Sequence, residues 1–211
     1  MTTATAKPNR QARRKELTRS KLLEAANQIF LDKGVENTTA TDIAEAADVA
    51  YGTFYNYFKS VDDLVPVAVE EELKNHQVGV KELQSQYDDP AMRVTIGVNA
   101  LFKSVMATPA IKWLTQKPAI MADEIARVLA EDAMDDIRNG VDKGDFNIPF
   151  DFDTLRTFCI WGITGVLNDL SSKPELLQVV ADNMTTIYLR ILGISDVKAK
   201  KLIEACPRLD Q

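Results

Sequence analysis

Residues 38–64 read TTATDIAEAADVAYGTFYNYFKSVDDL, and they predict two short helices across a tight turn with a third helix starting behind them. Thr39 followed by Asp42 is the S/T-x-x-D/E start signal, which places the first helix near Ala40 with Ile43, Ala44 and Ala47 on its inner side. That helix has to end by Asp48, because another begins within about two residues. Phe54 and Phe58, one turn apart and preceded by Val49, form the inner face of the second helix. Gly52, Asn56 and Lys59 then point outward, with Thr53 and Tyr55 on the shoulders and Tyr51 in the first turn. An ordinary solvated face favours Glu, Lys and Arg, whereas this one carries Tyr, Thr and Asn and has no basic residue between Lys33 and Lys59. Ser60 with Asp63 is a second cap-type start, for the helix that follows.

Working outward toward the N-terminus, Leu22, Leu23, Ala26, Ile29 and Phe30 recur at helical spacing and predict a helix from about residue 13 to Lys33, stopped at Gly34. Residues 1–12 have no sizeable apolar group and read as a flexible basic arm. The chain has 211 residues and a net charge of −6, but the charge is unevenly placed. Residues 1–21 hold seven basic side chains against one acid, while residues 61–211 hold sixteen against twenty-four. A basic front on an acidic body suits a protein that meets a polyanion end-on; a merely disordered basic tail is the competing reading.

The segment TTATDIAEAADVAYGTFYNYFKS resembles the DNA-binding signature of TetR-family transcriptional regulators, T-T-x-x-x-I-A-x-x-A-G-V-S-x-G-T-x-Y-x-[HY]-F. The likeness is gapless and extends over residues 14–64. It implies an all-α fold, with an N-terminal three-helix helix-turn-helix domain at 13–60 and a C-terminal helical effector-binding and dimerisation domain at 61–211. It also implies that the second helix of the turn enters the major groove. Tyr51, Gly52, Thr53, Tyr55 and Asn56 would then face bases or nearby backbone, while Tyr57 and Lys59 would hold phosphates. Asn can pair with adenine through two hydrogen bonds, and the Thr methyl can meet that of thymine. Tyr hydroxyls and Lys fix position without reading sequence. Thr39 and Thr41, at a helix start, would reach phosphate through hydroxyl and N–H groups, and Arg14 would add a contact from the basic segment. Three positions depart from the pattern: Asp48 replaces Gly, Ala50 replaces the Ser cap, and Val61 stands where a phosphate-binding Lys is common. The basic arm is expected to compensate.

Beyond Ser60, a stripe through Val65, Val69, Leu73, His76, Val80, Leu83 and Tyr87 predicts a long helix to about Gln86. Pro66 inside it is either a local kink or part of a hinge. Asp89-Pro90 starts the next helix with Val94, Val98, Leu101 and Phe102 inward. A short piece from Pro109 carries Trp113. One helix from Pro118 to Gly140 is expected to have Met121, Ile125, Val128 and Ile137 on one side and Asp123, Glu131, Asp132, Asp135 and Asp136 on the other. KGDFNIPFDFD reads as a loop, 153–170 as the most apolar helix, Pro174 as the start of a helix ending at Gly193, and 195–206 as a short extra helix. By resemblance, the last two long helices form a four-helix homodimer interface through Trp161, Gly162, Gly165, Val166, Val180, Met184, Ile187 and Tyr188.

Catalytic chemistry is not expected. The chain has one histidine, no metal-ligand cluster and no phosphate loop, so neither a catalytic nor a metal residue is assigned and no resident cofactor is expected. An architectural DNA-binding protein without a ligand fits poorly with so large and Met- and aromatic-rich a body. His76 is a satisfied core histidine or an effector contact, and Asn99 is similarly open. His76, Asn99, Phe102, Met106, Trp113, Met121 and Trp161 would line an effector pocket, though core packing would use most of the same residues. Cys159 and Cys206 read as reduced thiols, and with no signal peptide or spanning segment the expected location is cytoplasmic, with no membrane partner. The resemblance thus implies a homodimeric repressor released from a palindromic operator in double-stranded DNA by an unidentified small molecule. An effector-independent or co-repressor-dependent regulator is the alternative.

Overall fold

The N-terminal apolar stripe forms α1 (Arg10–Lys33), which buries Leu22, Leu23, Ala26 and Phe30. In the computed structural model the described residues are 10–128 and 130–207, and of residues 105–107 and 130 only the backbone is described. All regular elements among them are helices. Residues 1–9 of the expected arm lie outside that range. Arg10, Arg13 and Arg14 do not, and they stand exposed on the first turns of α1. The helix therefore begins three residues earlier than apolar periodicity alone indicates, because that signal starts only where side chains are buried.

The chain divides into two compact units at Ala68 and Val69. In the first, α1 packs on α2 (Ala40–Ala46), and α2 packs on α3 (Tyr51–Tyr55). The start signal at Thr39 is realised as a capping box. The Thr39 Oγ1 accepts from the Asp42 N–H at 3.2 Å, and the Asp42 carboxylate accepts from the Thr39 N–H at 2.8 Å. Lys33 adds its ammonium to the same carboxylate at 2.6 Å, tying the end of α1 to the start of α2. Asp48 is the one non-glycine residue with positive φ among those described, at 53°. It takes the left-handed turn conformation that glycine adopts without steric cost.

α3 is shorter than predicted. The outward face was expected to continue helically to Lys59, but the helix stops at Tyr55 with Asn56 as its C-cap. The Asn56 and Tyr57 N–H groups bond three residues back, to Thr53 and Phe54, which tightens the last turn. That bend still brings Phe58 to Phe54, with ring centroids 5.8 Å apart, and both rings are buried.

α4 (Val61–Gln84) begins in the first unit and continues in the second. The Ser60 hydroxyl accepts from the Asp63 N–H at 3.1 Å, and Pro66 is taken into the helix without ending it. In the second unit, α5 (Pro90–Ala107) starts on the Asp89 cap and is followed by α6 (Pro109–Thr115). The expected single helix from Pro118 is instead two, α7 (Pro118–Val128) and α8 (Ala130–Asp142). Glu131 and Asp132, read from sequence as the wet back of one helix, stand in the first turn of α8, where the helix dipole favours negative charge.

Gly140 does not end a helix either. It lies within α8, and the Phe146 ring rests on it so closely that a Cβ there would stand 2.2 Å from Cδ2. α9 (Phe152–Leu170) is capped by Asp151 and starts one residue earlier than placed from sequence. Pro174 opens a single 3-10 turn before α10 (Leu177–Ile191), and α11 (Asp196–Glu204) follows the Ser195 cap. α5 is the centre of this unit, with α10 and α8 packed on it, α7 on α9, and α11 across α10 and α5. Ile96, Ala100, Met134, Phe146, Leu155 and Leu189 form the middle of its core.

Candidate nucleic-acid interface and internal cavity

α2 and α3 hold the outward residues of the first unit. Phe54 is fully buried, so the side chains on the far side of a five-residue helix have to face out. Tyr51 and Tyr55 are 54% and 47% exposed, high values for such large rings, and they stack edge-on with centroids 5.1 Å apart. Their hydroxyls share a hydrogen bond of 2.8 Å, so one O–H is consumed and the other stays available to an acceptor. The Tyr51 hydroxyl raises the Tyr55 pKa above the ordinary phenol value. Gly52 has open space where a side chain would be, which leaves its backbone approachable. Asn56 and Lys59 are exposed, and Thr53 and Tyr57 are half-buried. Thr41 and Arg14 are exposed as well.

Thr39 differs from the sequence expectation. Its N–H and hydroxyl are both held by Asp42, at 2.8 and 2.6 Å, so neither is free for phosphate. Those bonds and Lys33 pull the Asp42 pKa from 3.8 to about 2, with the Lys33 hydrogen bond the largest cause. Ala50 is the N-cap of α3 and makes no side-chain cap bond.

The second unit contains a partly open cavity of about 150 Å³. Leu101, Ile125, Ile137, Leu155, Ile160 and Ile163 contribute to an apolar wall, with His76, Gln77, Asp132, Asp136, Arg156 and Tyr188 as polar members. Of the six residues named for an effector pocket whose side chains are described, His76 alone lines this cavity. Asn99 is buried elsewhere, donating to the Thr185 hydroxyl at 2.9 Å. Phe102 and Met121 are fully buried in packing, and Trp113 lies under the Lys117 ammonium at 4.1 Å. Trp161 is exposed, and the Met106 side chain lies outside the described residues. Hydrophobic periodicity identifies which side chains turn inward but not where inward-facing groups fail to fill the space. Val94, Val98 and Cys159 line the cavity without having been singled out for it.

Burial pushes the Cys159 thiol up to about 12, so it is no reactive nucleophile. Burial also lowers the His76 pKa, against a backbone hydrogen bond at Ala100 and the charge of Glu72. The imidazole is therefore neutral at pH 7.

On α9 and α10, Phe158, Trp161, Val179 and Ile187 are exposed apolar side chains, and Gly165 is exposed with them. Gly162, Val166 and Val180 are half-buried. Met184 and Tyr188 turn into their own chain instead, and the Tyr188 hydroxyl donates to the Cys159 carbonyl at 3.0 Å. Phe158 and Val179 had not been assigned to an interface; an outward position at the spacing of Trp161 was the available signal for Phe158.

A helix-turn-helix unit followed by a helical unit with an internal cavity defines a class of all-helical, DNA-binding regulators. Residues 22–67 match the family model for bacterial regulatory proteins of the tetR family. It is 41% identical over 56 residues to YvdT, an uncharacterised helix-turn-helix transcriptional regulator of Bacillus subtilis, a match covering 26% of this chain and 28% of that protein. The fold is similar to that of RolR in complex with resorcinol, with a TM-score of 0.80 and 23% identity over 94% of this chain and all of that one. It is also similar to FadR from Bacillus subtilis in complex with stearoyl-CoA, with a TM-score of 0.60 and 17% identity over 83% and 99% of the two chains. The curated relatives are transcriptional regulators, not enzymes. No single helix among the described residues is long and apolar enough to cross a membrane.

Proposed function

We propose that this protein is a homodimeric repressor that binds a palindromic DNA site through its two α2–α3 units and is released by a small molecule bound in the cavity of the second unit. The observation that carries the first half is the outward face of α3, where two paired tyrosines, an open Gly52, Thr53 and Asn56 stand where a solvated helix would carry charges. Tyr51, Gly52, Thr53, Tyr55 and Asn56 would contact bases or nearby backbone, with Arg14, Thr41, Tyr57 and Lys59 on phosphates. The domains would run from 13 to 60 and from 61 to 211, with residues 1–12 as the basic arm. The cytoplasm is where such a regulator would work.

The exposed apolar row on α9 and α10 supports pairing of two copies, with Phe158 and Val179 joining Trp161, Gly165 and Ile187. Large exposed apolar patches mark interaction surfaces. Trp161→Asp is expected to yield a monomer by light scattering. An unchanged dimer would place the interface elsewhere. The cavity supports an effector over effector-independent action, and the energetic requirement is only that the ligand prefer the state that does not bind DNA.

The test is a gel-shift titration on the DNA upstream of the protein's own coding region. Wild type is expected to shift it with an affinity that falls as salt rises. Asn56→Ala is expected to lose about 1–3 kcal/mol on that DNA and little on random duplex. Equal losses on both would reduce Asn56 to a backbone contact.

A further inference from the structure

The cavity restricts what can occupy it. A volume of about 150 Å³ is of the size that receives one benzene ring, and a long acyl chain does not fit within it. Its two acidic wall residues are already partnered. Asp132 accepts from Gln77 and pairs with Lys81 at 2.8 Å, and Asp136 pairs with Arg93 at 2.6 Å. The wall therefore has no free carboxylate to hold a cationic guest.

Two residues of the wall each keep a nitrogen without a partner. His76 Nε2 on α4 and Arg156 Nε on α9 are both buried without a hydrogen-bond partner. Glu131 Oε1 stands 3.9 Å from Arg156 Nε, too far for a hydrogen bond. With the other His76 nitrogen engaged at the Ala100 backbone, Nε2 of the neutral ring is an acceptor. Arg156 Nε carries a donor. A buried polar atom without a partner carries a free-energy cost that a guest supplying the missing bond recovers.

We infer that the effector is a single-ring compound bearing hydroxyl groups, whose O–H donates to His76 Nε2 and whose second oxygen accepts from Arg156 Nε. This rests on the reading of the cavity as the effector site, and it adds the chemical class of the ligand and the two residues that select it. The apolar wall would take the ring faces, while the two nitrogens distinguish a hydroxylated ring from a hydrocarbon of the same size.

The experiment is calorimetric titration of the full-length protein with resorcinol, phenol, toluene and decanoate, with release of bound upstream DNA as a second readout. Resorcinol is expected to bind most tightly, toluene about tenfold or more weakly, and decanoate not at all. His76→Leu is expected to bring resorcinol to within about threefold of toluene, with toluene binding and DNA binding retained. His76→Gln, which restores an acceptor, is expected to recover much of the resorcinol preference and serves if the Leu variant does not fold. Toluene binding as tightly as resorcinol, decanoate binding in preference to the rings, or a resorcinol preference that survives His76→Leu would each overturn the inference. So would the absence of binding by all four compounds. Resorcinol binding without DNA release would leave the ligand class standing and overturn the effector reading instead.

Discussion

The tie between Asn99 and Thr185 allows a direct test of which buried polar groups are structural. Asn99 on α5 donates to the Thr185 hydroxyl on α10 at 2.9 Å and to the Thr95 carbonyl at 3.3 Å. Thr185 is fully buried and Asn99 nearly so, at 6% exposure, so water does not replace a lost partner. Thr185→Val keeps the shape and removes the acceptor, leaving the Asn99 amide with the longer bond alone. The cost of a buried group left short of a partner is about 1–3 kcal/mol. Taking about 2 kcal/mol, and a urea dependence of about 2 kcal/mol per molar, the unfolding midpoint should fall by about 1 M. Asn99→Leu combined with Thr185→Val removes both polar partners, and replacing both can be nearly neutral. The double variant should therefore be more stable than Thr185→Val alone.

The assay is urea unfolding followed by tryptophan fluorescence. The protein's two tryptophans, Trp113 and Trp161, both lie in the second unit, so the signal reports on the unit that contains the tie. Because α10 belongs to the proposed dimer surface, midpoints have to be compared at equal protein concentration. A midpoint unchanged in Thr185→Val, or a double variant weaker than the single, would refute the assignment of Asn99 to packing. Neither variant should alter ring binding in the cavity.

Three further outcomes are expected. The Asp42 pKa is depressed from 3.8 to about 2, so the stability it contributes is complete above the ordinary value and is lost as pH falls through about 2. The gap between wild type and Asp42→Asn in circular-dichroism melts should accordingly close between those pH values, and a gap constant with pH would contradict the role of the carboxylate. Gly140→Ala places a Cβ against the Phe146 ring and should cost about 1–3 kcal/mol in urea unfolding, with Phe146→Leu in the same chain recovering part of the loss. Asp48→Gly removes the steric cost of φ 53° and should raise stability by up to about 1 kcal/mol in thermal melts, whereas Asp48→Val should lower it.

What could be read in the sequence follows from how local each signal is. The caps at Thr39, Ser60 and Asp89 involve a side chain and backbone within three residues, and all three stand where the sequence places them. The paired phenylalanines and the outward Tyr and Asn residues likewise depend on position within one turn. The end of α3 at Tyr55 was not legible, because Phe58 reaches the interior equally well from a helix or from the tightened turn that occurs. Gly140 read as a helix end for a similar reason. A glycine that makes room for a ring six residues later has no local signature.

Thus the sequence by itself determined the helical class, the turn that carries the outward tyrosines and Asn56, and the uneven placement of charge, since those depend on periodicity and short-range chemistry. Tertiary structure alone decided the cavity. Aromatic and Met side chains at inward positions were candidates for its wall, yet Phe102 and Met121 fill space while Val94, Val98 and Arg156 border what is left empty. A void is the difference between the space enclosed by several helices and the volume of the side chains within it, and no stretch of chain carries that difference on its own. The unpaired nitrogens of His76 and Arg156 belong to the same category, because a missing hydrogen-bond partner is apparent only once all the neighbours are in place.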